Sequence, residues 1–223
     1  MTNQLTKDLN INGKKILLRL DLNVPIFKGT ISETSRIEKI IPTIKLLKNK
    51  KTKIIIISHI GRPKGKWTKE LTLKNVATKL SNFLDQKVIF HEKQINASTK
   101  NQINLMKDGD VMLLENIRFY KGEENNDKDF AKKISELGDI YINDAFSCSH
   151  RAHASIEAIT KFIPSYFGLQ ITEEINALKK LTSEIKLPVT CIIGGSKIST
   201  KINIISNLMT KKINNIIIVG GMA

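Results

Sequence analysis

Short runs of apolar residues alternate along this chain with longer segments of helical periodicity, and this alternation constrains the fold most strongly. Most runs are continuously apolar, as expected for strands that are covered on both faces of a sheet. A helical segment between successive strands predicts parallel strands joined by crossover helices. The sequence therefore predicts an α/β fold with a doubly wound, Rossmann-like parallel sheet. The predicted strands are Lys15–Leu20, Lys53–Ser58, Lys87–Phe90, Val111–Leu114, Asp139–Ile142, Val189–Ile193 and Ile216–Val219.

Three of the intervening segments carry clear helix signals. Pro42 is expected in the first turn of the first long helix, where a missing N–H is tolerated. Thr72 is expected to cap the second helix and Asp127 a later one, which Gly138 ends. Apolar residues at helical spacing predict the buried faces. These are Ile37, Ile40, Ile41, Ile44 and Leu47 in the first helix, Leu73, Val76, Ala77, Leu80, Phe83 and Leu84 in the second, and Phe130, Ala131, Ile134 and Leu137 in the third.

The pattern predicts two domains of unequal completeness. Residues 1–167 form a complete first domain, and residues 168–187 form one long helix that Pro188 ends. Residues 188–223 supply a single strand–helix–strand unit, which cannot bury its own faces. We therefore expect the remainder of a second domain to be absent, and residues Leu187–Ala223 to be poorly packed or to bind a partner. The connecting helix is expected to present a face formed by Ile171, Ile175, Leu178, Leu181 and Ile185.

Composition argues against several classes of protein. No apolar stretch approaches the ~18 residues of a membrane span, and no signal peptide is recognisable, so a cytoplasmic location is expected. The net charge is +15 at pH 7, but the lysines are scattered, and few aromatic residues are available to stack on bases. Neither nucleic acid nor a membrane is therefore expected as a partner. Cys148 and Cys191 form no C-x-x-C pattern and are interpreted as reduced thiols.

The chain uses arginine sparingly. Lysine and arginine together number 36, and five of these are arginines, which leaves 31 lysines. Both side chains carry the same charge, but only arginine has a planar fork of donors that binds phosphate or carboxylate at two points. The arginines are therefore candidates for anion binding, with chance survival on helix surfaces as the alternative. They are Arg19, Arg36, Arg62, Arg118 and Arg151, and none is predicted to lie in the middle of a helix.

Ligands of open parallel sheets bind beyond the carboxyl ends of the strands. That edge is predicted to hold four of the five arginines and three of the four histidines, a concentration that a plain solvated rim of loops does not explain. We expect a site for a phosphate monoester, with Asp21 and Asn23 bound to a hydroxyl or carboxylate of the same molecule. The residues predicted at this edge include Asp21, Asn23, Arg36, His59, Gly61, Arg62, Glu115, Asn116, Arg118, Asn143, Asp144, His150, Arg151 and His153.

Other chemistries fit the sequence less well. His150 and His153 could bind zinc, but no third ligand stands at a recognisable spacing, and no metal site is predicted. No G-x-S-x-G motif occurs. A second candidate phosphate site is the glycine-rich turn from Gly194 to Lys201, which follows a strand and opens a helix. It is not a Walker A loop, and a tight turn without a ligand is the alternative.

Seven segments of the chain, in order, resemble those of the phosphoglycerate kinase family. They are RLDLNVP from Arg19, SHIGRP from Ser58, LENIRF from Leu114, NDAF from Asn143, HRAHAS from His150, GGSK from Gly194 and VGGMA from Val219. The resemblance implies a two-domain glycolytic enzyme, usually monomeric, that transfers a phosphoryl group from 1,3-bisphosphoglycerate to ADP. The products are 3-phosphoglycerate and ATP, and Mg²⁺ is bound with the nucleotide. The N-terminal domain would hold the glycerate and the C-terminal domain the nucleotide, with a hinge that closes them.

The same resemblance implies a role for each matched residue. The catalytic residues would be Arg36 and Lys197, which face the transferred group from the two domains. Asp21 and Asn23 would hold the hydroxyl and carboxyl end of the glycerate, while His59 and the other arginines of the site bind its non-reacting phosphate. The full substrate-binding set is Asp21, Asn23, Arg36, His59, Ile60, Gly61, Arg62, Arg118 and Arg151. The nucleotide-binding set is Gly194, Gly195, Lys197 and Lys201.

The chain departs from the family pattern in sequence and in length. Ser196 and Thr200 stand where alanine and aspartate are common, and a loop varies at Ser147, Cys148 and Ser149. The chain is also much shorter than family members, so we expect most of the nucleotide domain and the protein ligand of Mg²⁺ to be missing. The chain alone is then expected to be an inactive piece of a phosphoglycerate kinase. A non-catalytic 3-phosphoglycerate-binding module and a general polyanion binder are the alternatives.

Overall fold

A computed structural model describes residues 4–5, 9–27, 29–182, 186–211 and 213–223. The chain divides into two compact units, residues 1–172 and residues 173–223. The strands of the first unit are β1 (Lys15–Leu20), β2 (Ile26–Phe27), β3 (Thr30–Ile31), β4 (Lys53–Ile57), β5 (Ile89–His91), β6 (Val111–Leu114), β7 (Ile140–Asp144) and β8 (Ser165–Phe167). Its helices are α1 (Ser35–Asn49), α2 (Lys74–Leu84), α3 (Ala97–Asn104), α4 (Lys121–Glu124) and α5 (Lys128–Ser135), and α6 (Leu169–Thr182) crosses the division.

A six-stranded parallel sheet forms the centre of the first unit, with strand order β5-β6-β4-β1-β7-β8. Successive residues of a strand point to opposite faces, and both faces are covered. Ile16 and Leu18 of β1 pack in one apolar cluster with residues of α1 and α2, whereas Leu17 packs in another with residues of α3 and α5. This double coverage explains the continuous apolar runs and confirms the predicted doubly wound α/β fold.

Helix α1 corrects the predicted place of Pro42. The helix begins at Ser35, so Pro42 lies in its interior and not in its first turn. An interior proline leaves the carbonyl of the residue four positions earlier without its helical donor. That residue is Glu38. It is exposed, so water can donate the hydrogen bond that its carbonyl lacks. The buried side chains of Ile37 and Ile44 keep the segment helical against the sheet.

The prediction that Thr72 caps α2 is wrong. The N-cap residue is Leu73, and the carboxylate of Glu115 accepts hydrogen bonds from the Leu73 N–H (2.9 Å) and from the Thr72 hydroxyl (2.6 Å). A negative charge at a helix N-terminus is favourable, and Glu115 supplies it from a distant part of the chain. At α5 the predicted cap is confirmed, because the Asp127 carboxylate accepts from the Phe130 N–H at 2.7 Å.

Several predicted bounds differ from the observed ones. Strand β5 begins two residues later than predicted and ends at His91, and β7 continues to Asp144. Strand β8, which is short, only half-buried and at the edge of the sheet, was not predicted. On the predicted face of α6, Ile171 is buried but Leu178 is 46% exposed. Ile185 lies outside the described residues.

The second unit contains β9 (Thr190–Gly194), α7 (Ile202–Met209) and β10 (Asn215–Val219). The two strands pair in parallel, as expected for one βαβ unit. Its apolar side chains are largely exposed, including Ile192 (69%) and Met209 (73%), and Met222 is the one buried residue among those described in this unit. None of the helices in the described part of the chain is long and apolar enough to cross a membrane.

Backbone amides of β9, β10 and α7 are expected to exchange with deuterium faster than those of β1 and β4, by at least about tenfold. The reason is that exposed apolar faces add little free energy to local stability, and tenfold corresponds to about 1.4 kcal/mol. Hydrogen exchange followed by mass spectrometry on the dilute chain measures this difference. Equal protection in β9 and β1 would contradict the expectation.

Candidate functional site

A cavity of about 260 Å³ opens at the carboxyl edge of the central sheet. Its walls come from loops that follow β1, β4, β6 and β7 and from the start of α1. Parallel strands bring their carboxyl ends to one edge, which explains why residues far apart in sequence meet there. The lining residues are Asp21, Asn23, Arg36, His59, Gly61, Arg62, Arg118, Ser147, Cys148 and Arg151.

The carboxylate of Asp21 organises one wall of the cavity. It forms an ion pair with the Arg36 guanidinium and accepts a hydrogen bond from the Ser147 hydroxyl. It also accepts from the backbone N–H of Asn23 at 3.1 Å, and the Asn23 side-chain oxygen accepts from the Gly61 N–H at 2.9 Å. These contacts tie the loops after β1, β4 and β7 to the start of α1, so this wall is held in place without a ligand.

Arg118 is a buried cation with unused donors. It lies in a short helical turn after β6, only 2% exposed, and its Nη1 donates to the Gly61 carbonyl at 2.8 Å. Nε lies 3.5 Å from a carboxylate oxygen of Glu124, yet Nε and Nη2 have no hydrogen-bond acceptor among the described residues. Burial lowers the pKa of Arg118, although Glu124 opposes this shift. A buried guanidinium with unmet donors at a cavity wall indicates a site for an anion.

His59 lines the same cavity as a neutral hydrogen-bond donor. Its Nδ1 lies 3.1 Å from Nη2 of Arg19. Because a guanidinium can only donate, Nδ1 is the acceptor and the ring proton is on Nε2. Burial, reinforced by the charges of Arg19 and Arg118, lowers the pKa of His59 to about 2. The ring therefore carries no charge near neutral pH.

A buried network behind the cavity holds Arg19 and thereby His59. The Arg19 Nε donates to the Ser155 hydroxyl at 3.0 Å, and its Nη1 donates to the Leu20 carbonyl at 2.5 Å. The Ser155 hydroxyl donates in turn to the fully buried Glu123 carboxylate at 2.6 Å, and the Ser155 N–H does so at 2.9 Å. Burial raises the pKa of Glu123, and the charge of Arg19 opposes that shift. Sequence reasoning missed both Glu123 and Ser155, because neither stands at a motif-like spacing from Arg19.

The structure gathers most of the predicted substrate-binding residues around the cavity, including four of the five arginines. Ile60 is the exception, because its side chain lies in the apolar core and its carbonyl accepts from the Asn116 side chain at 2.8 Å. Arg19 lies behind the cavity. His150 and His153 do not line it either, and the His153 ring lies 3.8 Å from Glu123. Ser147 and Cys148, which belong to the loop that varies from the family pattern, form part of the wall.

The predicted nucleotide residues lie in the second unit. Gly194 ends β9, and Lys197 precedes a short helical turn, Ile198–Thr200, after which Lys201 leads into α7. The turn that follows β10 packs against this loop: a Cβ built on Gly221 would lie 3.5 Å from the Gly195 carbonyl oxygen. The two glycine-rich turns therefore share the carboxyl edge of the two-stranded sheet, which is where an open parallel sheet binds ligands.

One group of possible metal ligands occurs at the cavity. Asp21, His59 and Cys148 each offer a ligand atom, and these atoms lie within 4.8 Å of one another. The surroundings favour an anion instead. Asp21 is already paired with Arg36, and Nδ1 of His59 is occupied by Arg19. Four guanidinium groups around the same cavity raise the electrostatic cost of adding a cation.

Comparisons with known proteins agree on one family. The family model described as phosphoglycerate kinase matches residues 6–223. The phosphoglycerate kinase of Rhizobium meliloti (strain 1021) is 46% identical over 224 residues, which cover 100% of this chain and 56% of that protein. The one from Wolbachia pipientis wMel is 48% identical over 217 residues, covering 97% of this chain and 54% of that protein. The chain thus spans about half the length of these curated relatives.

The solved structures that this chain resembles are also phosphoglycerate kinases. The structure of phosphoglycerate kinase from Coxiella burnetii matches with a TM-score of 0.87 and 36% identity, over 96% of this chain and 54% of that one. The crystal structure of phosphoglycerate kinase from Pyrococcus horikoshii OT3 matches with a TM-score of 0.88 and 28% identity, over 98% of this chain and 55% of that one.

The His59 ring is expected to stay neutral, with its proton on Nε2, between about pH 8 and about pH 5, a range in which an ordinary histidine titrates. The nitrogen chemical shifts of ¹⁵N-labelled histidine rings, followed as a function of pH, measure the protonation of each ring. The control is the chain unfolded in urea, in which the histidines should titrate with midpoints of about 6.5. The lowered pKa also predicts that His59 destabilises the native state as pH falls below about 6.5, because only the unfolded chain takes up that proton. A His59 midpoint near 6.5 in the folded chain would be the contrary result.

Proposed function

Because the chain belongs to the phosphoglycerate kinase family, we propose that it takes part in phosphoryl transfer between 1,3-bisphosphoglycerate and ADP, which yields 3-phosphoglycerate and ATP. In the reverse direction the acceptor is the carboxyl group of 3-phosphoglycerate. The reaction belongs to glycolysis, and a cytoplasmic monomer is part of the proposal. Residues 1–167 serve as the glycerate-binding domain, residues 168–187 as the connecting helix, and residues 188–223 as the first part of the nucleotide-binding domain.

The observation that carries this proposal is the buried guanidinium of Arg118, whose Nε and Nη2 find no acceptor among the described residues. Leaving buried donors of a charged group unmet is unfavourable by about 1–3 kcal/mol or more. A phosphate oxygen in the cavity would accept from both atoms and neutralise the charge. Arg62 and Arg151 line the same cavity and supply further donors for the non-reacting phosphate.

The remaining lining residues suit the rest of the glycerate. The Nε2–H of His59 donates to the phosphate without adding a charge. Asp21 accepts from the glycerate hydroxyl, and the Asn23 amide donates to its carboxyl end. Ile60 is given no contact with the glycerate, because its side chain lies in the core and its backbone bonds to the Asn116 side chain.

Phosphoryl transfer depends on in-line positioning and on neutralising charge at the equatorial oxygens of the transferred group. We assign the neutralisation of this charge to Arg36. Its side chain is 43% exposed and can therefore turn toward an incoming group. Its place in the first turn of α1 adds the positive end of a helix dipole to the same region. Lys197 is assigned the matching role from the second unit.

The nucleotide phosphates are proposed to bind at the glycine-rich turns of the second unit. Gly194 and Gly195 allow close approach of the backbone, and Lys197 and Lys201 add positive charge. Mg²⁺ would neutralise phosphate charge together with these lysines. It prefers carboxylate and other oxygen ligands, and the sequence has no Asp or Glu after Glu184. Residues 186–223 therefore offer no carboxylate to hold magnesium.

A second candidate function is a non-catalytic module that binds 3-phosphoglycerate. The supporting observation is that every residue lining the cavity lies between Asp21 and Arg151, so the proposed glycerate site uses residues of the first unit alone. Both candidates predict saturable binding of 3-phosphoglycerate, and only the first predicts turnover once the rest of the family's length is supplied. For residues 1–223 alone we propose binding without kinase activity.

Titration of the chain with 3-phosphoglycerate in a calorimeter is expected to show saturable binding. Arg62→Ala should weaken it by about 10- to 100-fold, because a hydrogen bond to a charged group is worth about 1.5–3 kcal/mol. Arg62 is exposed, so the variant should still fold. Lys132→Ala removes the same charge from an exposed position on α5 and should leave the affinity unchanged. Equal weakening in both variants would favour a general polyanion binder.

Arg36→Lys is expected to lower turnover by at least about tenfold in an enzyme completed to the full length of the family. The lysine keeps the charge but loses the fork that contacts two phosphoryl oxygens at once. A coupled assay for ATP formation measures turnover, and Lys39→Arg, an opposite exchange on the exposed side of the same helix, is the matched control. Turnover within about twofold of the unmodified enzyme would remove Arg36 from its assigned role.

A further inference from the structure

Cys148 is a free thiol on the wall of the cavity. It ends the short helical turn Phe146–Cys148 after β7, where its backbone N–H donates to the Ala145 carbonyl at 3.0 Å. The residue is only 4% exposed and is one of the lining residues of the cavity. The Sγ atom lies within 4.8 Å of ligand atoms of Asp21 and His59 and 3.7 Å from the Ser147 hydroxyl.

The charges around this thiol are mainly positive. Four guanidinium groups line the cavity, and the one carboxylate among the lining residues, that of Asp21, is paired with Arg36. Arg118 lines the cavity and is only 2% exposed, and two of its nitrogens have no hydrogen-bond acceptor among the described residues. These unmet donors are independent of the cysteine and point to an anionic occupant. A concave site of one charge sign concentrates ions of the opposite sign and raises their encounter rate by about 10- to 1,000-fold.

We propose that Cys148 is a covalent modification site, selective for small electrophiles that carry a carboxylate or a phosphate group. The anionic group of the reagent binds to the guanidinium groups, and its electrophilic carbon is then held beside the thiol. The modification depends only on the cavity and its charges, and it is independent of the phosphoryl-transfer function proposed above.

The reaction is a simple substitution when iodoacetate is the probe. The thiol first loses its proton to solvent, because the thiolate is the nucleophile. The sulfur attacks the methylene carbon, the S–C bond forms as the C–I bond breaks, and iodide leaves with the bonding electron pair. No oxidant or reductant takes part. The product is a carboxymethyl group fixed inside the cavity, with its carboxylate beside the unmet donors of Arg118.

Such a modification is expected to close the anion site. The attached carboxylate occupies the donors that a free anion would use, and the added atoms fill part of a cavity of about 260 Å³. After complete modification of Cys148, binding of inorganic phosphate should fall by at least about tenfold. Modification of Cys191 should leave phosphate binding unchanged, because that residue lies on β9 in the second unit.

The test compares two reagents at two cysteines in the same molecule. Native chain is treated with iodoacetate, which is anionic, or with iodoacetamide, which is neutral, and the rate at each cysteine is measured by mass spectrometry of its peptide. Cys191 is the internal control, since it is partly exposed and shares the overall net charge of +15. The ratio of the iodoacetate rate to the iodoacetamide rate should be at least about tenfold higher at Cys148 than at Cys191.

Three further results are expected if the guanidinium groups cause the preference. The ratio of the iodoacetate rate to the iodoacetamide rate at Cys148 should approach the ratio at Cys191 as ionic strength rises. Salt screens the attraction between iodoacetate and the guanidinium groups. Arg62→Ala should lower the ratio at Cys148, and Lys132→Ala should not. Inorganic phosphate should protect Cys148 and leave Cys191 reactive.

Equal ratios at the two cysteines would overturn the proposal, and so would a Cys148 that stays unmodified by both reagents while Cys191 reacts. The second outcome would identify Cys148 as an inert buried thiol. The proposed function is tested separately by adding 3-phosphoglycerate. If it protects Cys148 no better than inorganic phosphate does, the glycerate assignment fails while the modification site stands. If 3-phosphoglycerate binds but the anionic preference is absent, only the modification site fails.

Discussion

Two guanidinium groups are buried at the carboxyl edge of the central sheet, and the arrangement of the site depends on how each is neutralised. Removing a charged group from water costs several kcal/mol unless hydrogen bonds and an opposite charge replace the water. Arg19 has these partners within the protein: a backbone carbonyl, Ser155 and, through Ser155, the Glu123 carboxylate. Arg118 donates to one carbonyl and lies 3.5 Å from a Glu124 carboxylate oxygen, and two of its nitrogens have no hydrogen-bond acceptor among the described residues. One buried cation is therefore satisfied within the protein, and the other keeps unmet donors, on which the proposed anion site rests.

The loops that carry these groups hold one another in place. Asn116 accepts from the backbone N–H of Arg118 at 3.1 Å and donates to the carbonyls of Ile60 and Leu71 at 2.8 and 2.9 Å. Glu115, the residue before it, caps α2. Ser58 donates to the Leu20 carbonyl and accepts from the Leu22 N–H, which joins the loops after β4 and β1. Side chains held in this way need little reorganisation when a ligand binds, which favours both affinity and electrostatic stabilisation of a transition state.

The errors of the sequence prediction have a common cause, which is that partners distant in the chain override local signals. Thr72 has the side chain of a helix cap, yet Glu115 provides the cap because the sheet brings it to the start of α2. Pro42 favours a first turn, yet buried isoleucines on either side extend α1 past it. Strand β8 has no pattern of its own and exists because its backbone pairs with β7 at the sheet edge. Glu123 was missed as a partner of Arg19 because 32 residues separate it from Ser155, which connects the two.

The sequence by itself determined the α/β class, the order of most strands and helices, and the set of anion-binding candidates. These depend on local properties: apolar periodicity, the position of polar residues after strands, and the rarity of arginine in a lysine-rich chain. Only the tertiary structure decided which candidates line one cavity. It kept the four predicted arginines there, left out Ile60, His150 and His153, and brought Cys148 to the cavity wall. The physical reason is that burial, unmet hydrogen-bond donors and lowered pKa values arise from contacts between distant segments, which no local pattern encodes.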